Sequence, residues 1–200
     1  MLIIGLTGNI GCGKSSLSKI FMEKNIDVVD ADIVSRRIFE DEELLQAVFK
    51  QFGPSIKNDD GSLNRRALGN IVFNDDNKLI ELNNLTHPRL KEKILGEIEN
   101  IRNQNKKLVI LDGALLVEGG YLDHIDKLLV VTCEESIQIK RIMDRDNCTK
   151  QEALSRINSQ MSQDEKVKYA DYIINNSGSL QDLKNKADSF ISYIKENWSE

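Results

Sequence analysis

Residues 2–16 read LIIGLTGNIGCGKSS: a short apolar run, a glycine-rich turn, then Lys-Ser-Ser. Within that stretch, Gly8-Asn9-Ile10-Gly11-Cys12-Gly13-Lys14-Ser15 fits the phosphate-loop pattern G-x-x-x-x-G-K-[ST]. Glycines let a backbone turn tightly, so that several N–H groups converge on one anion. A helix starting there adds its positive N-terminal end. Lys14 brings charge to the outer phosphates, and Ser15 offers a hydroxyl to Mg²⁺. The expected nucleotide contacts are therefore Gly8, Gly11, Cys12, Gly13, Lys14, Ser15 and the adjoining Ser16. The flanks agree. "LIIGLT" suits a buried strand, and Leu17, Ile20 and Phe21 recur at helical spacing. An accidental glycine turn is the plain alternative, and this context argues against it.

Working outward, a chain of 200 residues, 40% hydrophobic and 30% charged, suits one domain with a substantial core. A net charge of −5 does not favour a nucleic-acid partner. No apolar run is long enough to span a bilayer, so no membrane association is expected. The apolar start lacks a basic leader and runs straight into the glycine turn, so no signal peptide is expected either. Cys12, Cys133 and Cys148 are odd in number and scattered. They read as reduced thiols of a cytoplasmic protein, not as a disulfide frame.

Apolar runs at residues 2–7, 26–29, 108–111 and 128–132, with a weaker one at 172–174, are expected as buried strands. Helical patterns separate them, which predicts an α/β fold with a central, mostly parallel sheet. Ligands on such a sheet sit beyond the carboxyl ends of the strands. The interval 31–107 exceeds a simple crossover and carries several helical patterns, "ELLQAVFKQF", "RRALGNIVF" and "RLKEKILGEIENI" among them. It predicts an inserted helical region, assigned to 33–107, within a single domain of 1–200. Residues 134–168 read as a polar helical pair turning at "DRDNCT", and the final segment as an amphipathic helix.

Acids and bases gather just after the strands. In "VVDAD", an extended chain points Asp30 and Asp32 to one side. One carboxylate near a nucleotide can orient Mg²⁺ and water, and another can take a proton from an attacking hydroxyl. The plain alternative for Asp32 is a helix cap. Asp112 ends "KKLVILD", where an acid completes a nucleotide site by helping to hold the metal. Glu118 follows in "ALLVEGG"; its plain alternative is an ordinary surface acid. Arg141 and Arg145 lie one helical turn apart, with Arg156 further on. Two such charges weakly oppose a helix, but a bound polyphosphate reverses the sign. A solvated face paired with Asp144 and Asp146 is the alternative. "NKAD" at 185–188 matches the guanine-reading motif of GTPases but falls inside the C-terminal helical pattern, and is set aside as helix surface.

These segments together resemble the dephospho-CoA kinase family. The likeness covers nearly the whole chain: "IGLTGNIGCGKS", "VVDADIVSR", "DGSLNRRALGNIVF", "LTHPRL", "ALLVE", "QIKRIMDRD…SRINSQ" and "ADYIINNSGSLQDL". The resemblance implies a P-loop kinase-like three-layer fold: a central parallel five-stranded sheet, a helical substrate-binding insertion and a helical lid at 134–168. It implies transfer of the γ-phosphate of ATP, with Mg²⁺, to the ribose 3′-hydroxyl of dephospho-CoA. Asp32 then resembles the base, and Lys14 and Ser15 the phosphate and Mg²⁺ contacts. Arg141 and Arg145 resemble lid arginines. Arg65 of "LNRRAL" and His87 of "THP" resemble acceptor-pocket residues, and Asn176 of "IINN" a position near the adenine. Glu118 joins the acceptor side. Many relatives have Pro where Ala114 stands here. The plain alternative for His87 is a helix-start residue before Pro88. No macromolecular partner is implied, and the enzyme is expected as a cytoplasmic monomer or small homo-oligomer. The rivals are a kinase for another small acceptor, such as a nucleoside monophosphate, and a nucleotide-dependent switch that binds a protein partner.

Overall fold

The apolar run before the glycine turn is the middle strand of the sheet. The computed structural model describes residues 1–198 and places β1 at Leu2–Thr7, β2 at Asp27–Asp30, β3 at Leu108–Asp112, β4 at Lys127–Thr132 and β5 at Tyr172–Asn175. All pairings are parallel, in the order β2-β3-β1-β4-β5. Strands buried on both faces need no polar alternation, and Ile4, Leu6, Val109, Ile110, Leu111, Leu129 and Val131 are all buried. The edge strand β5 buries only Ile174 fully, which explains its weaker signal. Register matters at the carboxyl ends: Leu6 and Asp30 both pair with Asp112 across their strands, and Thr7 pairs with Val130.

Helix α1 (Lys14–Glu23) lays Leu17, Ile20 and Phe21 on the sheet. The C-terminal helix, α9 in chain order (Leu180–Asn197), adds Leu183, Ala187, Phe190 and Ile194 to the same core. Ser179 and Asp182 form its capping box. An aromatic cluster closes this side: Phe190 lies 4.7 Å from Tyr172 and 5.8 Å from Trp198, and Tyr193 lies 5.2 Å from Trp198. The NKAD residues lie within α9, away from any strand end.

The chain divides into two compact units, a sheet unit built from residues before Ala31 and after Glu99, and a helical unit, Ala31–Glu99. The helical unit holds α2 (Ala31–Arg37), α3 (Glu42–Phe52), α4 (Arg65–Val72) and most of α5 (Asp76–Asn103). Asp41 and Asn64 cap α3 and α4 by accepting the N–H of Leu44 and of Ala67. Ile38, Leu44, Val48, Ile56, Leu68 and Val72 form a separate core.

Two local expectations are corrected here. Because α2 starts at Ala31, Asp32 is in a first helical turn, not on extended chain beside Asp30, and it does not occupy the cap position. Pro88 lies inside α5, so His87 is a mid-helix residue and not a helix start. The helix survives its missing N–H because Leu82 and Leu85 before Pro88 and Leu90 after it pack on one core.

After β4 the chain forms three helices where a pair was expected: α6 (Glu135–Asp146), α7 (Lys150–Asn158) and a short α8 (Gln163–Val167). Asn147, at φ 47°, ends α6. Capping boxes Thr149/Glu152 and Ser162/Glu165 open the next two. The second box was visible as S-Q-D-E, but five residues are too few to show a helical period. Among the described residues, no helix is long and apolar enough to cross a membrane.

Candidate active site

The glycine turn is shaped from behind by polar side chains. Gly11 and Gly13 have φ of 82° and 90°, the left-handed region that only glycine enters cheaply. A Cβ on Gly13 would also collide with Nδ2 of Asn176. That buried amide donates to the Cys12 carbonyl at 2.8 Å, while the Asn176 backbone N–H donates to the Thr132 carbonyl at 2.7 Å. Asn176 thus touches the loop's backbone from the end of β5. Further braces come from the segment after β4. The Ile10 N–H donates to Gln160 Oε1 at 2.9 Å, Gln138 Nε2 to the Ile10 carbonyl at 2.7 Å, and Asn9 Nδ2 to the Met161 carbonyl at 2.8 Å.

Lys14 begins α1 and is buried, and its ammonium forms an ion pair with Asp112 at the end of β3. Ser18, one turn along α1, donates its hydroxyl to the other oxygen of the same carboxylate. Burial pushes the Asp112 carboxyl above the ordinary range; Lys14 and Ser18 pull it partly back, and the charge of Asp30 adds to the rise. Carboxyls perturbed by burial beside a charged partner concentrate at working sites. Ser15 and Ser16 are exposed at the head of α1, where a helix N-terminus favours anions. The Ser15 hydroxyl and the Asp112 carboxylate are hard oxygen donors, of the type Mg²⁺ takes in company with substrate phosphates. Ser18 was missed by reading the sequence, although its i+4 spacing from Lys14 puts both on one helix face.

The arginines divide. Arg141 Nη1 reaches the Gly11 carbonyl at 3.5 Å. Arg145 donates twice to Asp146, at 2.7 and 2.9 Å, and Arg156 pairs with the same carboxylate. Arg145 and then Arg156 hold the Asp146 carboxyl below the usual range. Cys12 and Cys133 are free thiols with sulfurs 3.6 Å apart. The thiol–thiol hydrogen bond, in which Cys133 donates to Cys12, shifts the two groups apart: it pulls the Cys133 thiol down, helped by the charge of Arg141, and with burial pushes Cys12 up. Glu118 is occupied internally, with Oε1 3.0 Å from Lys166 Nζ and 3.3 Å from the Met161 nitrogen.

In the helical unit, Asp32 is exposed in the first turn of α2. Arg65 donates to the Arg36 carbonyl and sets its guanidinium 5.3 Å from the centre of the Phe39 ring. His87 is exposed on α5.

A phosphate loop on the central strand of a parallel sheet, its lysine tied to an acid on the next strand, places this chain among the P-loop kinases in fold. The match extends to the family. The model of the dephospho-CoA kinase family fits residues 2–182, and the chain belongs to that family. A dephospho-CoA kinase of Listeria innocua is 41% identical over 195 residues, covering 97% of this chain and 98% of the relative. Among solved structures, TT1252 from Thermus thermophilus matches with TM-score 0.82 at 31% identity, covering 96% of this chain and 97% of its own. The dephospho-CoA kinase from Campylobacter jejuni matches with TM-score 0.75 at 30% identity, covering 97% of both chains.

Proposed function

We propose that this protein transfers the γ-phosphoryl group of ATP to the 3′-hydroxyl of the ribose of dephospho-CoA, giving coenzyme A. The observation that carries the reading is the Lys14–Asp112–Ser18 cluster beneath a turn built for an anion, in a chain of the dephospho-CoA kinase family. In this account the turn from Gly8 to Gly13 and the head of α1 hold the triphosphate. Lys14 exchanges Asp112 for phosphate oxygens. Ser15 and Asp112 would hold Mg²⁺, which supplies charge neutralisation across the outer phosphates. Asn176 contributes by fixing the turn's backbone. Asp32 takes the proton from the ribose hydroxyl as its oxygen bonds to the γ-phosphorus and the bond to the β–γ bridging oxygen breaks, releasing ADP. Arg141 and Arg145, on a lid spanning 134–168, meet the charge that develops on the transferred group, and Arg145 gives up Asp146 to do so. Arg65 and His87 in the helical insertion hold the acceptor. Glu118, with its carboxylate engaged by Lys166, supports that side rather than touching substrate. The enzyme works in the cytoplasm as a monomer or small homo-oligomer, on small molecules alone.

The test is a coupled assay for ATP consumption with dephospho-CoA beside a panel of nucleoside monophosphates, with the new phosphate located by phosphorus NMR. Dephospho-CoA should be preferred and the phosphate should be on the 3′ oxygen. A preference for a nucleoside monophosphate, or no acceptor dependence, refutes the reading. Asp32→Asn should slow turnover by roughly 10² to 10⁴ with ATP affinity little changed, the range for a positioned base. Near-normal turnover removes Asp32 from that role.

A further inference from the structure

Lys166, on α8, has a side chain with no exposed surface. Its ammonium has two oxygen partners, the Ala114 carbonyl at 2.7 Å and Glu118 Oε1 at 3.0 Å. Both partners belong to the turn that follows β3, so the contact joins that turn to the segment after α7. Resting on the kinase reading above, we infer that Lys166 is a positioning residue for phosphoryl transfer, holding the turn after Asp112 and the back of the phosphate loop in register.

Stability alone is a poor reason for a buried ammonium. Removing such a charge from water is costly, and apolar residues of similar volume often serve a fold equally well. Directed donation is what the charge adds. The Ala114 carbonyl also accepts the Thr7 hydroxyl at 3.1 Å, so one oxygen ties the last residue of β1, next to Gly8, to a turn two residues beyond Asp112. The strap 160–166 that carries Lys166 reaches the phosphate loop at three further points. Gln160 accepts the Ile10 N–H, and the Met161 carbonyl accepts from Asn9. Gln163 Oε1 accepts the Cys12 thiol at 3.3 Å and the Cys133 N–H at 2.9 Å. Lys166 is the buried anchor of that strap. It touches none of the residues assigned to bind phosphate or abstract the proton, so its effect passes through the loop and the turn. Small displacements of positioning groups cost disproportionately in rate.

The test uses the full-length protein and three readouts: kcat and KM for both substrates, dissociation of a fluorescent ATP analogue, and thermal unfolding. Lys166→Met should lower kcat by about 10- to 100-fold while affinity for the analogue changes less than threefold. The kcat deficit should persist at a temperature well below the variant's unfolding. A kcat within twofold of wild type overturns the inference. So does a deficit that disappears on cooling, or one matched by an equal loss of nucleotide affinity. Should Lys166→Met fail to fold, Glu118→Gln carries the test, since it keeps the shape and removes the charge that orients the ammonium. It should lower kcat by about three- to tenfold with analogue affinity unchanged, and an unchanged kcat overturns the inference. Wild-type protein that makes no coenzyme A defeats the kinase reading itself; wild-type activity matched by the variants defeats only the role of Lys166.

Discussion

Gly13 and Asn176 constrain one another. A Cβ at Gly13 meets the Asn176 amide, and the φ of 90° resists any side chain. Gly13→Ala should therefore abolish measurable nucleotide binding and cost about 1–3 kcal/mol of stability, read by titration and thermal unfolding. Asn176→Ala in the same chain should relieve the collision without restoring binding, because the Cys12 carbonyl loses its donor. Asp112 gives a pH-dependent expectation. Its carboxyl is raised by burial above the ordinary value of 3.8, so in the nucleotide-free protein it takes up a proton at higher pH than a surface aspartate. A raised pKa favours the folded state when the group is protonated, and that contribution is lost as pH rises through the folded value. Wherever the carboxylate is ionised, its charge is therefore kept against stability. Binding of Mg²⁺–ATP should weaken as pH falls through the raised value, and Asp112→Asn should flatten that limb in a calorimetric titration. The phosphate loop and Asp112 were legible in the sequence because both are local patterns. The Ser18 contact to Asp112 and the Asn176 contact to Cys12 span 94 and 164 residues, and only the folded sheet brings them together.

Among the elements, α5 and the helices after β4 departed most from expectation. A proline inside a helix costs roughly 3 kcal/mol relative to alanine when nothing compensates. Pro88→Ala should raise the unfolding temperature and weaken dephospho-CoA binding if His87 and its neighbours form the acceptor pocket. A lowered unfolding temperature would mean that the proline is required to seat Leu82 and Leu90. Proline normally reads as a boundary, so the sequence placed a helix start where leucines on both sides carry the helix through. The lid proposed for 134–168 carries a different expectation. Asp146 holds Arg145 and Arg156 together, so the proposed role requires Arg145 to leave a carboxylate for phosphate. Arg145→Ala should lower turnover more than acceptor affinity, because its contribution grows as charge develops. A loss confined to acceptor KM would exclude it from that role. Thr149→Ala should cost about 1 kcal/mol through the lost cap of α7.

For the molecule as a whole, helix caps link folding to acid. The Leu44 N–H holds Asp41 low and the Thr149 N–H holds Glu152 low, while the hydroxyls of Ser162 and Ser179 do the same for Glu165 and Asp182. Depressed folded values mean that this stabilisation is fully present above the ordinary values of 3.8 and 4.5, and is lost as pH falls through the lower folded ones. Urea midpoints should hold steady above about pH 5 and drop below about pH 4, with amide replacements at these four positions reducing the drop. The parallel sheet was readable at this scale because its strands are continuous apolar runs. The neighbour order was not, since each strand's hydrophobicity is satisfied by any buried partner. The ring cluster on α9 adds an optical property. Trp198 is the chain's single indole, and its edge contacts are with Phe190 and Tyr193, whose rings also pack on Tyr172 of β5. Its emission therefore follows release of the final helix from the sheet margin, while Ala31–Glu99 contributes no indole signal. Denaturation followed in parallel by far-ultraviolet ellipticity and by this fluorescence distinguishes sequential melting of the two units from a single concerted transition.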